Sequence, residues 1–173
     1  MNDLELNLKN AQKEVDKTIK LLLPSGKGLE KKLFEAINYS ILSSGKRLRP
    51  YLVIQSSKLF DVDKKNALRV ASSIEMIHAY SLIHDDLPSM DNDILRRGLP
   101  TTHKKYNEAT AILAGDSLLT LSFEVLSDSL THNDPKIRCE LIYELAKAAG
   151  AYGMVAGQMM DLEAENKKLS IGI

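Results

Sequence analysis

Apolar residues recur at helical spacing along nearly the whole chain. The first stripe has members three, four or seven residues apart: Leu4, Leu8, Val15, Ile19 and Leu22. Residues at this spacing share one face of a helix, so the pattern predicts an amphipathic helix that ends at the Pro-Ser-Gly run at 24–26. A second stripe, with apolar residues four apart, predicts a helix over 28–43. It would end at 43–45, where Gly45 suits a left-handed cap.

Boundary residues place the next helices. Pro50 opens a third helix, because the first turn tolerates its missing N–H. Asp63 is a candidate N-cap for a fourth helix over Lys64–Leu87. A fifth helix is predicted over 107–130.

The sixth predicted helix starts at an Asp-Pro pair at 134–135 and runs to about residue 165. It carries three glycines, Gly150, Gly153 and Gly157. A glycine inside a helix costs about 1 kcal/mol relative to alanine. Three of them so close together favour close approach by another helix, with a nearby ligand as the alternative.

Composition agrees with one helical domain. No segment shows sustained strand alternation, so the 173 residues are predicted to form a single all-α domain over 1–173. The net charge is zero, which gives no reason to expect nucleic-acid binding. The one cysteine, Cys139, cannot form an internal disulfide and fits a reducing cytoplasm. Neither a signal peptide nor a membrane span is predicted, so stable membrane insertion is not expected.

The densest chemistry lies at 84–97. Four aspartates precede two arginines there: Asp85, Asp86, Asp91, Asp93, Arg96 and Arg97. Carboxylates so close together repel and favour a bound cation, and oxygen ligands suit Mg²⁺ or Ca²⁺ better than zinc. Mg²⁺ commonly shares its shell with phosphates, which arginine also grips. The pattern predicts a metal–diphosphate site, and the alternative is a solvated helix end with ion pairs.

Pro88 decides the geometry of this cluster. It removes a helical hydrogen bond and clashes with the carbonyl of His84, so the fourth helix should kink or end near 86–87. In an unbroken helix Asp85 and Asp91 would not share a face, because six residues turn about 600°. A break lets Asp91 fold back, so that both carboxylates reach the same ion.

The loop Gly45-Lys46-Arg47-Leu48-Arg49-Pro50 is a second candidate site. Its cations lie at the start of the third helix, where the helix dipole disfavours positive charge. A bound anion would relieve this conflict and accept hydrogen bonds from free backbone N–H groups. The loop is not a P-loop, because residue 40 is serine and residue 47 is arginine. The alternative is a solvated basic loop.

His78 and Tyr80 precede the aspartates on the fourth helix. His78 lies seven residues before Asp85, so both project from nearly the same face. It would donate to a nearby phosphate, although a lone histidine on such a helix is more often structural. Tyr80 is either a core residue or the limit of a ligand tail that runs away from Asp85. No zinc pair or nucleophilic triad is visible.

In this order and spacing, the motifs resemble the trans-prenyltransferases of the polyprenyl synthetase family. The matching segments are GKRLRP (45–50), EMIHAYSLIHDDLPSMDNDILRRGLPTTH (75–103), AILAGDSLL (111–119) and GQMMDLEAE (157–165). Pro88, one of two extra residues in the aspartate motif, and Tyr80 resemble the bacterial farnesyl diphosphate synthase subgroup. The resemblance implies the isoprenoid synthase bundle, about six helices around a central cavity, and a homodimer for the full-length family member.

The resemblance also implies the ligands of the metal site. Asp85 and Asp91, supported by Asp86, would hold Mg²⁺, with Mn²⁺ as the alternative ion, on an allylic diphosphate. Arg96 would grip the same diphosphate. Asp161 would face the same cavity and reach a metal.

The implied substrate contacts lie on both sides of that metal site. Isopentenyl diphosphate would be bound by Lys46, Arg49, His78 and Arg97, with Gly45 and Arg47 lining the loop. Tyr80 and Ser81 would form the floor of the tail pocket, and Gln158 would face the cavity. The implied reaction joins isopentenyl diphosphate to dimethylallyl or geranyl diphosphate and gives farnesyl diphosphate.

The chain departs from the family at its C-terminal end. A second aspartate-rich motif and a lysine–threonine pair would lie beyond residue 165, and neither occurs before Ile173. We therefore interpret the chain as an N-terminal portion of the family's subunit and expect little or no turnover from it alone. Two functions remain as alternatives: a geranylgeranyl diphosphate synthase, and a non-catalytic subunit that needs a second chain. A generic helical scaffold fits the motifs least well.

Overall fold

The computed structural model describes residues 3–43, 45–165 and 167. These residues form eight helices: α1 Asp3–Leu22, α2 Lys31–Leu42, α3 Leu48–Leu59, α4 Lys64–Asp85, α5 Thr102–Lys105, α6 Glu108–Ser127, α7 Pro135–Ala149 and α8 Met154–Ala164. Two short antiparallel strands, β1 Leu95–Arg96 and β2 Leu99–Pro100, complete the described part. The all-α prediction is confirmed.

Side-chain caps explain where three helices begin. Asp63 Oδ1 accepts hydrogen bonds from the backbone N–H groups of Lys65 and Asn66, at 2.8 and 3.3 Å, as its predicted cap position requires. Asn107 and Asp134 cap α6 and α7 in the same way. These caps satisfy N–H groups that have no partner within the helix.

Helix α4 lies at the centre and packs against α1, α2, α3 and α6. Apolar side chains from four helices meet around it and are fully buried: Val15, Ile19, Ile37, Ile41, Met76 and Leu118. Because this core surrounds α4, it fixes the position of the aspartates at the end of that helix.

Helix α6 is the most apolar of the long helices. In the described part of the chain, its 20 residues alone are long and apolar enough to cross a membrane by length and composition. Core helices pass the same test, and α6 buries Ala114, Leu118 and Val125 against the bundle.

The prediction of one long sixth helix is wrong. Helix α7 ends at Ala149 with Gly150 as its C-cap, and α8 begins at Met154 with Gly153 as its N-cap. A Cβ atom on either glycine would clash with carbonyl oxygens of the preceding helix. Among the described atoms, nothing lies within 4 Å of a Cβ built on Gly157. These glycines therefore allow the chain to turn, and they do not mark helix–helix packing.

Several predicted boundaries shift by a few residues. Helix α2 ends at Leu42 with Ser43 as an extended C-cap, and Ser44 of the predicted end lies outside the described residues. The left-handed residue that the structure records in the following loop is Arg47, with φ 50°. Helix α3 begins two residues before Pro50, and α6 stops at Ser127. The strands and α5 were not predicted, because each is too short to produce a periodic pattern.

Candidate active site

Helix α4 ends where Pro88 was predicted to break it. Asp85 is the last helical residue and Asp86 is the C-cap. The chain then turns back, and the backbone N–H of Asp91 donates to the carbonyl of Asp85 at 2.8 Å. The turn continues through Asn92, whose φ of 53° is left-handed. The break therefore brings Asp91 beside Asp85, as the sequence predicted.

The paired carboxylates fit a small, hard cation. Burial raises the pKa of Asp85, and the negative charge of Asp91 raises it further. A bound cation would remove that repulsion. In the part of the chain that is described, no three carboxylate, imidazole or thiol groups lie close enough to hold a metal. Two carboxylates with water and phosphate oxygens are the usual ligand set of Mg²⁺, so Asp85 and Asp91 suffice for that ion.

Asp86 has a different environment from its neighbours. Its side chain is 4% exposed and accepts from Arg96 Nε at 2.6 Å. Burial raises the pKa of Asp86, and the hydrogen bond from Arg96 opposes that rise. Arg96 also reaches Asp93 at 3.3 Å. The structure therefore places Asp86 as the anchor of Arg96, and it lies apart from the Asp85–Asp91 pair in its contacts.

The short hairpin separates the two arginines. Its turn residues Arg97 and Gly98 both have positive φ, 54° and 80°, which is typical of a tight two-residue hairpin. Arg96 on β1 points to Asp86, whereas Arg97 reaches the Gly45 loop, so closely that a Cβ on Gly45 would clash with its guanidinium. Consecutive residues thus serve two different parts of the site.

The basic loop forms one wall of a pocket of about 560 Å³. Four predicted diphosphate ligands line this basic pocket: Lys46, Arg49, His78 and Arg97. Arg49 Nη1 lies 3.4 Å from His78 Nε2. Burial first, and then the surrounding arginines, lower the pKa of His78 to about 4. The imidazole is therefore neutral near pH 7, and the pocket's positive charge comes from Lys46 and the arginines.

Arg47 belongs to the interior. It is 5% exposed, and its guanidinium donates to Asp16, to Glu75 and to the carbonyl of Ile41. With its donors engaged in this way, it is not oriented to bind a diphosphate. The prediction that Gly45 and Arg47 line the loop agrees with their place on the pocket wall, but the guanidinium of Arg47 supports that wall from behind.

An apolar pocket of about 340 Å³ lies beyond Asp85. Its walls include Tyr80, Ser81 and Gln158, three residues that the sequence placed there. Methionines supply much of the remaining wall: Met90, Met154 and Met159. Asp161 does not line this pocket and is exposed on α8. The predicted tail-pocket residues therefore lie together, whereas Asp161 lies outside the group.

A third cavity, also about 340 Å³, connects the other two. It shares Arg49 and His78 with the basic pocket, and Ser81 and Asp85 with the apolar one. The chain thus presents a cationic end, a carboxylate pair and an apolar tail pocket along one side of α4.

Residues that sequence reasoning missed support the site from below. Glu75 lies three residues before His78, and Gln12 Nε2 donates to the carbonyl of Gly45 at 2.9 Å. His84 packs edge-on against Tyr80, with ring centroids 5.8 Å apart. Only the position of Glu75 on the face of His78 gave a signal in the sequence, and an acid there reads equally well as solvated.

Known proteins share this arrangement. The sequence profile of the polyprenyl synthetase family matches residues 30–172. The chain belongs to the polyprenyl synthetase family. The farnesyl diphosphate synthase of Geobacillus stearothermophilus is 53% identical over 141 residues, which are 81% of this chain and 48% of that protein. The chloroplastic geranylgeranyl pyrophosphate synthase 9 of Arabidopsis thaliana is 52% identical over 76% of this chain and 37% of its own.

Solved polyprenyl synthetase relatives have the same fold. A crystal structure described as an FPP/GFPP synthase from Zymomonas mobilis superposes with a TM-score of 0.91 at 47% identity. The match covers 96% of this chain and 62% of that one. The chain spans about half the length of the curated relatives it matches.

Proposed function

We propose that this chain is part of a Mg²⁺-dependent prenyltransferase that condenses isopentenyl diphosphate with dimethylallyl or geranyl diphosphate to give farnesyl diphosphate. The observation that carries the proposal is the placement of Asp85 between a basic pocket and an apolar pocket. A ligand with a diphosphate head and an apolar tail matches Asp85 and the apolar pocket. A second diphosphate matches the basic pocket.

Each group has a chemical task in this proposal. Lys46, Arg49 and Arg97 bind the diphosphate of isopentenyl diphosphate, and neutral His78 donates one hydrogen bond to it. Asp85 and Asp91 hold Mg²⁺, which as a Lewis acid stabilises the charge on the departing diphosphate. Arg96 binds that same diphosphate.

The apolar pocket protects the reacting carbon. Its methionines and Tyr80 exclude water, which would otherwise capture the allylic cation. The double bond of isopentenyl diphosphate attacks C1 of the allylic cation, and the resulting cation then loses a proton. No side-chain nucleophile is needed.

Tyr80 supports farnesyl diphosphate as the product. Its ring is 9% exposed and closes the apolar pocket together with Ser81, so a longer tail has no room beneath it. Geranylgeranyl diphosphate is the alternative product, because relatives that make it match this chain with similar identity.

The isolated chain is proposed to be inactive. Its described carboxylates supply one side of the metal site, and exposed Asp161 does not reach the apolar pocket. A non-catalytic subunit that needs a second chain is the alternative, but such a subunit would have no need of the Asp85–Asp91 pair. We further propose a cytoplasmic homodimer for the full-length protein.

Ligand binding tests this function without requiring turnover. Isothermal titration calorimetry should show isopentenyl diphosphate binding in EDTA, whereas geranyl diphosphate should bind tightly only with Mg²⁺. Lys46→Gln should weaken the first ligand at least about tenfold, the loss of one charged contact. Asp85→Asn should abolish the Mg²⁺ dependence of the second.

The control is Glu124→Gln, which removes a carboxylate that lines neither of these pockets. It should leave both affinities unchanged. If the unmodified chain binds neither ligand, the proposed function is wrong for this part of the protein.

A further inference from the structure

The guanidinium of Arg47 joins three helices. Its Nε donates to Asp16 on α1 at 2.8 Å, and its Nη2 donates to the carbonyl of Ile41 on α2 at 2.6 Å. Its Nη1 donates to Glu75 Oε1 on α4 at 2.7 Å. Glu75 is 4% exposed, so this ion pair is buried, whereas Asp16 is about one-third exposed. Glu75 is therefore the partner that balances the charge of Arg47 inside the molecule.

The same arginine sets the shape of the basic loop. Its φ of 50° is left-handed, and it is the N-cap of α3. Lys46 precedes this turn and Arg49 follows it, and both line the basic pocket. A left-handed residue other than glycine is held by its surroundings, because L-residues disfavour that backbone. Here the surroundings are the three acceptors around the guanidinium.

We infer that Glu75 is a positioning residue for diphosphate binding: through Arg47 it holds the turn that directs Lys46 and Arg49 into the basic pocket. This inference rests on the proposed function, because it assumes that the basic pocket binds a diphosphate. Glu75 acts through Arg47 and not by contact with the ligand, since two anions would repel.

The charge of Glu75 makes the inference easy to distinguish from a simple electrostatic effect. Burial raises the pKa of Glu75, and Arg47, Arg49 and Arg97 oppose that rise, so its carboxylate senses the cations of the pocket. By Coulomb's law alone, an anion beside an anion site weakens binding, and its removal should strengthen binding. If Glu75 positions the loop, its removal should weaken binding.

Binding of inorganic pyrophosphate to the 173-residue chain in EDTA tests this directly. EDTA keeps metal from the Asp85–Asp91 pair, so the titration reports the basic pocket, and Lys46→Gln confirms the location. We expect Glu75→Ala to weaken binding about tenfold, the loss of one charged hydrogen bond, and Glu75→Gln to weaken it less, because the amide keeps an acceptor. Affinities are measured well below each variant's melting temperature, so a loss of stability alone does not change them.

The Arg47→Met background supplies the second comparison. If Glu75 acts through Arg47, Glu75→Gln should have no further effect on pyrophosphate affinity in that background. Unchanged or tighter binding by Glu75→Gln in the original chain overturns the inference, as does an equal loss in both backgrounds. If the unmodified chain does not bind pyrophosphate, the basic pocket itself is disproved together with the inference. Should Glu75→Ala fail to fold, Glu75→Gln still gives the decisive sign.

Discussion

At the scale of single residues, neighbours of the same type have different surroundings. Arg96 pairs with buried Asp86, while Arg97 reaches the Gly45 loop. Arg47 is buried by three acceptors, whereas Arg49 is exposed on the pocket wall. The residue type fixes the charge and the donors, but the backbone direction at each position decides which ligand the side chain can reach.

His78 should make stability depend on pH in a defined window. Its pKa is lowered to about 4 in the folded chain by burial and by Arg49, Arg97, Arg47 and Arg96. An unfolded histidine titrates near 6.5. Between these values the unfolded chain binds a proton that the folded chain does not, so the free energy of unfolding falls as pH drops from about 6.5 to about 4.

Urea unfolding at several pH values within that window measures this contribution. His78→Gln removes the imidazole, so the variant should lose less stability than the original chain as pH falls. Equal slopes for the two proteins would show that His78 does not carry the depressed pKa.

At the scale of helices, the contact between α4 and α6 depends on a missing side chain. A Cβ on Gly115 of α6 would clash with the imidazole of His84 on α4. That imidazole lies 3.2 Å from the carbonyl of Ile112 and packs edge-on against Tyr80. Gly115 therefore lets α6 approach the residues that close the apolar pocket.

Two glycine-to-alanine substitutions separate helix propensity from packing. Alanine normally stabilises a helix by about 1 kcal/mol relative to glycine. Gly157→Ala in α8 should show that gain, because nothing lies within 4 Å of the new Cβ. Gly115→Ala should instead destabilise the chain by about 1–2 kcal/mol, because His84 must move from a packed position.

Denaturant unfolding measures both variants under the same conditions. Stabilisation by Gly115→Ala equal to that of Gly157→Ala would show that the α4–α6 contact has room for the methyl group.

At the scale of the whole molecule, α7 and α8 are less covered than the other helices. No residue of α8 is buried, and Tyr143, Tyr152 and Met160 are more than 60% exposed. Helix α8 is one wall of the apolar pocket. The relatives are about twice as long as the matched region, so this wall is where further chain would complete the cavity.

We therefore expect no turnover from the 173-residue chain alone. Labelled isopentenyl diphosphate with geranyl diphosphate and Mg²⁺ should give no farnesyl diphosphate above the level without protein. The positive control is the Geobacillus stearothermophilus farnesyl diphosphate synthase. Mg²⁺-dependent product from the purified chain would contradict this expectation, and activity that appears only with a co-purified second chain would favour the subunit alternative.

Sequence reasoning was sufficient where the physical cause is local. Helical periodicity, the caps Asp63 and Asp134, and the break at Pro88 each depend on residues within about one turn. The return of Asp91 to Asp85 followed from the same break. The long sixth helix was predicted wrongly, because a glycine can weaken a helix or end it, and the choice depends on what surrounds it.

The sequence by itself therefore determined the helical class of this protein, most helix boundaries and the acid-rich turn. Only the tertiary structure decided that Asp86 holds Arg96, that Arg47 is buried and that Glu75 is its partner. Glu75 and Arg47 are 28 positions apart, and Asp16 and Arg47 are 31 apart. Contacts across such distances depend on how the helices pack, and the apolar stripes that bring helices together do not specify which polar side chains meet.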